Sequence, residues 1–447
     1  MTERTQMETS AQNHRPLVLT NARLVDPASS RDEFGGVLLE NGMITEIGAH
    51  LLENIPARAQ NIDCLGNVVC PGLIDMQVYT GEPGNEHRET LATASQAAAA
   101  GGVTTIICMP NTDPVIDDVA LVDFMLRRAR DTAIVKVHPL AAITKDLKGQ
   151  EMAEIGLLKS AGAVAFTNGK ESISDAQIMR RVLSYSADFD ALVIHNTEEI
   201  SMTQMGVMNE SEVSSRLGLP GIPSEAETIM LERDLRLVSL TGARYHAASI
   251  SCRASMEAIR SAKKTGLPVT CGVSINHLSL NENDIGPYRT FFKVRPPLRS
   301  EDDRMSLVES ISSGEIDVIV SSHDPQDVDG KRHPFSEAID GAIGLETLLP
   351  VALRLYHSGQ LDLHTLLKPL TINPAKLLDL PTGRMEVGAP ADLTVIDLEA
   401  PWIVDPDALH SISKNTPFEE AKLQGRILLT LVNGKIVFDF AASQKNK

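Results

Sequence analysis

The stretch PGLIDMQVYTGEPG, from Pro71 to Gly84, decides the fold, because it opens a long alternation of strand-like and helix-like segments. Its first half, PGLIDMQV, is an apolar run, and several similar runs follow before Leu380, as expected for parallel strands covered on both faces. Helix-like stretches such as ISDAQIMRRVLSYSADF, residues 173–189, lie between them. The pattern predicts an α/β protein with a (β/α)8 barrel, whose active site would lie at the carboxyl ends of the strands. The strand candidates are PGLIDMQV (71–78), VTTIICMP (103–110), AIVKVHPLAAI (133–143), AVAF (163–166), ALVIHN (191–196), RYHAASI (244–250), LPVTCGVSIN (267–276) and IDVIVSSHDP (316–325).

The two ends of the chain have a different texture, with short β-rich runs broken by Asn, Gly, Asp and Pro. The run QGRILLTLVNGKIVFDF, residues 424–440, carries an Asn-Gly pair between two apolar segments, which is typical of a hairpin turn. We therefore predict one small β domain built from residues 15–70 plus 385–440, and a barrel over residues 71–384. The polar start, residues 1–14, is predicted to be a disordered lead-in.

The charge of the chain excludes several classes of partner. The 41 basic and 59 acidic side chains give a formal net charge of -18. Nucleic acids and anionic membranes attract basic surfaces, so neither is expected as a partner. The start of the sequence lacks the apolar core of a signal peptide, and no window reaches the roughly 18 to 20 apolar residues of a membrane span. We expect a cytoplasmic protein.

Several separated blocks resemble one family when they are taken in order. The opening stretch is followed by TLATASQAAAAGGVTTIICMPNTDPVID (90–117), FFKVRPPLRSEDDR (291–304) and HPFSEAIDGAIGLETLLP (333–350). Together they resemble the cyclic amidohydrolases, and most closely dihydroorotase of the type that combines a barrel with a β domain. The resemblance implies two zinc ions that activate a water for attack on a cyclic amide, because coordination lowers the pKa of water to about 7.

The resemblance also implies where the zinc ligands should stand, and most of those positions carry other residues. Alternation along the first barrel strand would send residues 77 and 79 together into the barrel mouth. Amide, hydroxyl and protonated phenol groups are weak zinc ligands. His195 is the one retained ligand. The replaced positions are Gln77 and Tyr79 for the two histidines of the first strand, Asn168 for the bridging ligand, Ser249 for a later histidine, and Ser322 for the aspartate that serves as ligand and acid/base.

Other positions of the family pattern suggest a pocket for a ligand. Candidate pocket residues are Asn111, His277, Arg295 and Gln326, although the retained polar residues are more simply interpreted as hydrogen-bonding loop backbone at strand ends. If the barrel is still active, His323 and Asp324 are the candidates for acid/base chemistry. Two further residues belong to the pattern: Lys170, which could be a displaced bridging lysine, and His246, which we interpret as structural.

Three hypotheses follow from these residues. The first is a non-catalytic dihydroorotase homologue, resembling the inactive dihydroorotase-like subunits that assemble with aspartate carbamoyltransferase, and it predicts no bound metal or other cofactor. The second is an active dihydroorotase or related cyclic amidohydrolase with an altered zinc site. The third is a sensor that binds a small anion through Arg295 and Asn111. Under each of them a homo- or hetero-oligomer is expected.

Overall fold

The computed structural model describes residues 15–445, and the predicted lead-in at residues 1–14 lies outside them. Within the described part of the chain, no helix is both long and apolar enough to cross a membrane. The strands, in chain order, are β1 (Leu17–Asp26), β2 (Arg31–Glu40), β3 (Met43–Gly48), β4 (Gln60–Asp63), β5 (Val68–Pro71), β6 (Leu73–Val78), β7 (Val103–Cys108), β8 (Lys136–Pro139), β9 (Phe166–Thr167), β10 (Val193–His195), β11 (Met208–Asn209), β12 (Gly221–Ile222), β13 (Tyr245–Ala247), β14 (Val269–Ser274), β15 (Val318–Val320), β16 (Leu393–Ile403), β17 (Lys422–Val432) and β18 (Lys435–Asp439).

Helices alternate with the strands from β6 onward. The first of them shows why the sequence folds in this way: its alanine-rich segment begins after Thr90, whose hydroxyl accepts a hydrogen bond from the backbone N–H of Thr93. The helices are α1 (Leu91–Ala100), α2 (Val119–Thr132), α3 (Ile155–Ala161), α4 (Ala176–Asp188), α5 (Glu212–Leu217), α6 (Glu225–Thr241), α7 (Arg253–Lys264), α8 (Ile275–Ser279), α9 (Glu301–Ser312), α10 (Val328–Arg332), α11 (Leu348–His357), α12 (Leu363–Leu367), α13 (Ile372–Leu377) and α14 (Phe440–Lys445).

The predicted (β/α)8 barrel is confirmed. Strands β6, β7 and β8 form one parallel sheet, and β9, β10, β13, β14 and β15 form another. Parallel bridges between Ala141 and Phe166 and between Val78 and His323 join the two sheets at both edges and close the barrel. The carboxyl ends of all eight strands therefore surround one opening, where active sites of this fold lie.

Side chains alternate between the two faces of the barrel strands. On β10, Val193 belongs to the apolar core between strands and helices, whereas Ile194 belongs to the separate core that fills the barrel interior. Tyr245 on β13 faces the helices in the same way as Val193. This alternation decides which polar side chains reach the barrel mouth.

The small β domain combines both ends of the chain in one sheet. Its strand order is β18-β17-β16-β5-β1-β2-β3, with β4 pairing along β1. Polar bonds fasten this sheet to the barrel: the Thr430 hydroxyl donates to the carbonyl of Ala99 at 2.7 Å, and the Lys136 ammonium pairs with buried Asp392 at 2.5 Å. The sheet thus packs beside α1 and the amino end of the barrel strands.

Candidate functional site

A cavity of about 220 Å³ lies at the carboxyl ends of the barrel strands, and we call it the mouth cavity. Its walls come from distant parts of the sequence, because parallel strands bring their carboxyl ends to one opening. The lining residues are Gln77, Tyr79, Met109, Gly169, Lys170, Asn196, Ala248, Ser249, Val294, Arg295, Ser322, Asp324, Ile339, Asp340, Gly341 and Ala342.

Gln77 and Tyr79 both line the mouth cavity, at the end of β6. The hydroxyl of Ser249 donates a hydrogen bond to the Gln77 side-chain oxygen at 3.0 Å, so two positions that the resemblance assigns to zinc ligands are bonded to each other. The Tyr79 ring is 8% exposed, and burial raises the pKa of its phenol, with the nearby charge of Asp324 adding to the effect. A phenol with a raised pKa stays protonated near neutral pH and cannot supply an anionic metal ligand.

The cationic side chain of Lys170 is paired inside the mouth cavity. Its ammonium contacts the carboxylate of Asp324 and lies 4.9 Å from the centroid of the Tyr79 ring. The other oxygen of Asp324 accepts a hydrogen bond from the Gln326 side chain at 2.8 Å. Both oxygens of Asp324 are thus engaged by protein groups. Gln326, predicted to line a ligand pocket, binds this carboxylate but does not itself line the mouth cavity.

Arg295, predicted to contact an anionic ligand, lines the cavity but is neutralised by acidic neighbours. Its guanidinium binds Glu198 through two nitrogens, with Nε at 2.8 Å from Oε2, and lies 3.8 Å from Asp340. The bidentate geometry is the strongest form of this ion pair. Hydrogen bonding to the Glu198 carboxylate raises the pKa of Arg295. Both cations of the mouth are therefore already paired with carboxylates.

Asn168 and Asn111 lie behind the cavity wall. The buried Asn168 side chain exchanges two hydrogen bonds with Thr144, at 3.0 Å to its backbone nitrogen and at 2.8 Å to its hydroxyl. Asn111 packs over Gly169, where an added Cβ would lie 1.7 Å from the Asn111 side-chain oxygen. Only glycine permits this approach, and Gly169 also has a left-handed φ of 64°. Asn111 consequently does not line the cavity, contrary to the ligand-pocket prediction.

His195, which the resemblance predicts to be a retained zinc ligand, faces the helices instead of the mouth cavity. Its Nδ1 donates to Asp234 on α6 at 2.6 Å, and its Nε2 accepts a hydrogen bond from the backbone nitrogen of Ile173 at 2.9 Å. The Tyr245 hydroxyl and the Arg233 guanidinium also bind Asp234. We call His195, Arg233, Asp234 and Tyr245 the wall network. Asp234 and the backbone nitrogen of Ile173 together engage both nitrogens of His195, and neither is available to a metal.

The segment after β15 separates Ser322 from His323. Ser322 lines the mouth cavity with a left-handed φ of 54°, a conformation that few residues other than glycine adopt. The next residue, His323, is fully buried outside the cavity, where its Nδ1 accepts from the backbone nitrogen of Gly344 and its Nε2 lies 3.5 Å from Glu89. Of the two candidates for acid/base chemistry, only Asp324 reaches the mouth.

The two remaining histidines of the family pattern are buried without reaching the cavity. Nε2 of His277 donates to the carbonyls of Pro296 and Pro297 at 3.1 and 3.2 Å, which places it beneath the loop that carries Arg295. His246 Nδ1 is bonded to the Thr270 hydroxyl at 2.8 Å. Burial lowers the pKa of His277 to about 4 and that of His246 to about 3. The ligand-pocket prediction for His277 therefore does not fit its position.

The donor groups of the mouth do not fit a pair of zinc ions. Zinc in hydrolases takes imidazole, thiolate or carboxylate ligands, with three protein ligands per catalytic ion. Around this opening the structure offers an amide, a protonated phenol, two hydroxyls and carboxylates that are already paired with cations. Over residues 15–445, no group of three or more His, Cys, Asp and Glu side chains is arranged to hold a metal ion.

Comparison with known proteins identifies the family. A family model described as dihydro-orotase-like matches residues 66–255, and one described as amidohydrolase family matches residues 344–438. The dihydroorotase of Syntrophotalea carbinolica is 42% identical over 94% of this chain and 99% of that protein. The chain belongs to the dihydroorotase family. The dihydroorotase of Ehrlichia canis is 41% identical over 94% of each chain.

Solved structures agree on the fold of this dihydroorotase homologue. An L-hydantoinase (dihydropyrimidinase) from Arthrobacter aurescens superimposes with a TM-score of 0.85 at 25% identity, covering 95% of this chain and 96% of that one. A D-hydantoinase (dihydropyrimidinase) from Thermus sp. gives 0.79 at 23% identity, with 95% of each chain covered. The likeness to the second extends to the fold alone.

Sequence reasoning did not anticipate how the mouth is neutralised. Glu198 stands three residues after His195, yet its partner Arg295 is 97 residues further along the chain. Nothing in the local pattern indicates the pairing, because barrel closure alone brings the two side chains together. Asp234 was missed for the same reason, although an acidic residue on the buried face of a helix is itself a signal for a buried partner.

Proposed function

We propose that this dihydroorotase-family chain does not hydrolyse cyclic amides and that it acts as a structural partner in an assembly with aspartate carbamoyltransferase. One observation carries the first half of the proposal: the mouth cavity has uncharged groups at Gln77, Tyr79, Ser249 and Ser322. Both ring nitrogens of His195 are hydrogen-bonded to protein groups away from this cavity. Hydrolysis of an amide near neutral pH needs an activated water, and these groups supply no anionic donor set for a metal that would provide it.

The partner in the proposal rests on resemblance. Replacement of the zinc ligands on a preserved barrel resembles the non-catalytic dihydroorotase-like subunits that assemble with aspartate carbamoyltransferase. Preservation of the fold without the donors is expected when the shape of the surface, and not the chemistry of the mouth, carries the function. Cytoplasmic location belongs to the same proposal.

A second function is favoured by the comparisons: ring-opening hydrolysis of dihydroorotate or a related cyclic amide by an altered centre. It is supported by relatives that carry the name dihydroorotase at about 40% identity over nearly the whole chain. The groups of this chain that could serve it in the mouth are Asp324 and Tyr79. The Asp324 carboxylate would have to break its ion pair with Lys170 before it could accept a proton. Substitution of Asp324 therefore tests this function.

Turnover separates the two functions. The purified full-length chain is assayed with dihydroorotate in the presence of added zinc, beside the Syntrophotalea carbinolica dihydroorotase as positive control. The proposal predicts no turnover above background. Turnover that is abolished in Asp324→Asn but kept in Asp327→Asn, a change at a half-exposed helix cap, would establish the second function instead.

The partner is tested separately by size-exclusion chromatography of the chain mixed with aspartate carbamoyltransferase from the same organism. A single earlier-eluting peak that contains both chains is expected. Two independent peaks at all mixing ratios would refute the assembly role, whatever the turnover assay shows.

A further inference from the structure

A second cavity, of about 330 Å³, is lined by residues of the small β domain and of the barrel and shares no lining residue with the mouth cavity. We call it the C-terminal cavity. It is enclosed by the ends of α1 and the start of α11 on the barrel side, and by β16, β17, β18 and α14 on the other. Aromatic and aliphatic side chains dominate its walls, among them Trp402, Leu409, Ile427, Phe438 and Phe440.

Arg426 on β17 lines this apolar cavity with its guanidinium held between two rings. The guanidinium carbon lies 4.8 Å from the centroid of the Trp402 ring and 4.2 Å from that of Phe440. Stacking on aromatic faces restrains a guanidinium but leaves its N–H groups, which lie in its plane, free to donate. The site therefore holds a planar set of donors in a fixed orientation.

The donors of Arg426 are not used by the protein. Throughout the described part of the chain, no carboxylate pairs with this guanidinium and no protein atom accepts a hydrogen bond from it; burial lowers the pKa of Arg426, with no neighbouring charge as a further cause. Its cross-strand neighbour Asp397 accepts instead from the backbone nitrogens of Glu399 and Ala400. Arg295 at the mouth is the contrasting case, because Glu198 occupies its donors.

Several other polar groups of the C-terminal cavity are bonded within the protein. The Trp402 indole donates to the carbonyl of Gly425 at 3.0 Å. Glu346 accepts from His410, at 2.9 Å from Nδ1 and at 2.6 Å from the backbone nitrogen. Asp405 accepts from the backbone nitrogen of Asp407 at 3.1 Å. Arg426 thus gives these walls a cation whose N–H donors are accepted by no protein atom of the described residues.

We propose that the C-terminal cavity binds a small organic anion with a flat apolar body, whose carboxylate or phosphate group is held by Arg426. Carboxylates and phosphates match the planar donor set of a guanidinium, and the rings of Trp402, Phe438 and Phe440 offer apolar contact to the body of the ligand. The site is independent of the barrel mouth, so it does not depend on whether the chain hydrolyses cyclic amides.

The chain carries its own reporter for this site, because Trp402 is its single tryptophan. The purified full-length protein is titrated with benzoate while tryptophan emission is recorded. We expect a saturable change in emission. The affinity for the matched neutral ligand, benzamide, should be lower by a factor of about ten or more, which corresponds to the loss of one charge-assisted hydrogen bond. Phenyl phosphate in a parallel titration distinguishes a phosphate-binding from a carboxylate-binding site.

Variants locate the response at Arg426. Arg426→Gln should abolish the preference for benzoate over benzamide, and Arg426→Lys should weaken it, because an ammonium keeps the charge without the planar donor pair. Arg180→Gln, at an exposed position on α4, is the control and should titrate as the wild type does. Should Arg426→Gln fail to fold, the proposal is still tested by the affinities of the wild type for benzoate and benzamide and by the same titrations of Arg426→Lys. Equal binding of benzoate and benzamide, or no saturable change with either anion, would overturn the proposal.

Discussion

The wall network and the mouth cavity stand on the same barrel strands but differ in how they use polar side chains. In the wall network, His195, Asp234 and Tyr245 are buried between strands and helices, and they bind one another. In the mouth cavity, Gln77 and Ser249 share a single hydrogen bond beside an open space. The difference indicates that the imidazole–carboxylate pair near β10 supports the fold, whereas the mouth is an open space around which no group of three or more His, Cys, Asp and Glu side chains of the described residues is arranged to hold a metal ion.

The largest expected effect comes from removing the carboxylate at the centre of the wall network. Asp234→Ala leaves the His195 imidazole and the Tyr245 hydroxyl without their acceptor in a buried site and is expected to lower the free energy of unfolding by about 3–5 kcal/mol. Urea denaturation followed by circular dichroism measures the change. Asp123→Ala, which breaks an exposed pair with Arg127 on α2, is the control and should cost less than about 1 kcal/mol. A small effect of Asp234→Ala would mean that the wall network is not structural.

Buried histidines make the stability of the barrel depend on pH. Burial lowers the pKa of His246 to about 3 and that of His277 to about 4 in the folded chain, against about 6.5 when unfolded. Below the unfolded value, the unfolded chain binds protons that the folded chain does not, so acidification favours unfolding. Each histidine should remove about 1.4 kcal/mol of stability between about pH 7.5 and about pH 5.5.

A pair of variants isolates this effect from other titrating groups. His246→Gln should lose its share of the pH dependence, whereas His333→Gln, at an exposed position, should keep the wild-type slope. The measurement is the free energy of unfolding of each variant at the two pH values. Equal slopes for His246→Gln and the wild type would show that His246 is protonated in the folded chain, which would contradict its buried, neutral role.

The alternation of strand-like and helix-like segments was enough to predict the barrel, and the alternation of side chains along its first strand placed Gln77 and Tyr79 in the mouth. The same rule, applied to β10, would also have placed His195 with Val193 on the helix-facing side, but the family pattern suggested a ligand. Two other features of the site could not be predicted from neighbouring residues in the sequence. The position of Asn111 follows from its contact with Gly169, in the turn after β9, and the Glu198–Arg295 pair forms only when the barrel closes.

A smaller change sharpens the account of the wall network. Tyr245→Phe removes one hydrogen bond to Asp234 and keeps the packing of the ring, so the free energy of unfolding should fall by about 1 kcal/mol. Tyr288→Phe is the matched control, because the hydroxyl of Tyr288 donates to the carbonyl of Leu217 at a half-exposed position and its loss should cost less. Thermal or urea unfolding of the two variants gives the comparison.

The smallest effect is expected at the mouth. Ser249→Ala removes the hydrogen bond to Gln77, whose side chain can then turn to solvent in the cavity, so the loss should be about 0.5 kcal/mol. The measurement is again the free energy of unfolding. A loss larger than that of Tyr245→Phe would show that the mouth is as tightly organised as the wall, and the contrast between them would fail.

The central claim of the proposal, that the mouth holds no zinc centre, is tested most directly by the zinc content of the purified full-length chain. The protein is equilibrated with excess zinc, freed of unbound metal by gel filtration and analysed for metal beside the Syntrophotalea carbinolica dihydroorotase treated in the same way. The account predicts zinc at the level of the buffer background. Stoichiometric zinc that is lost in Asp324→Asn or His195→Ala would contradict it.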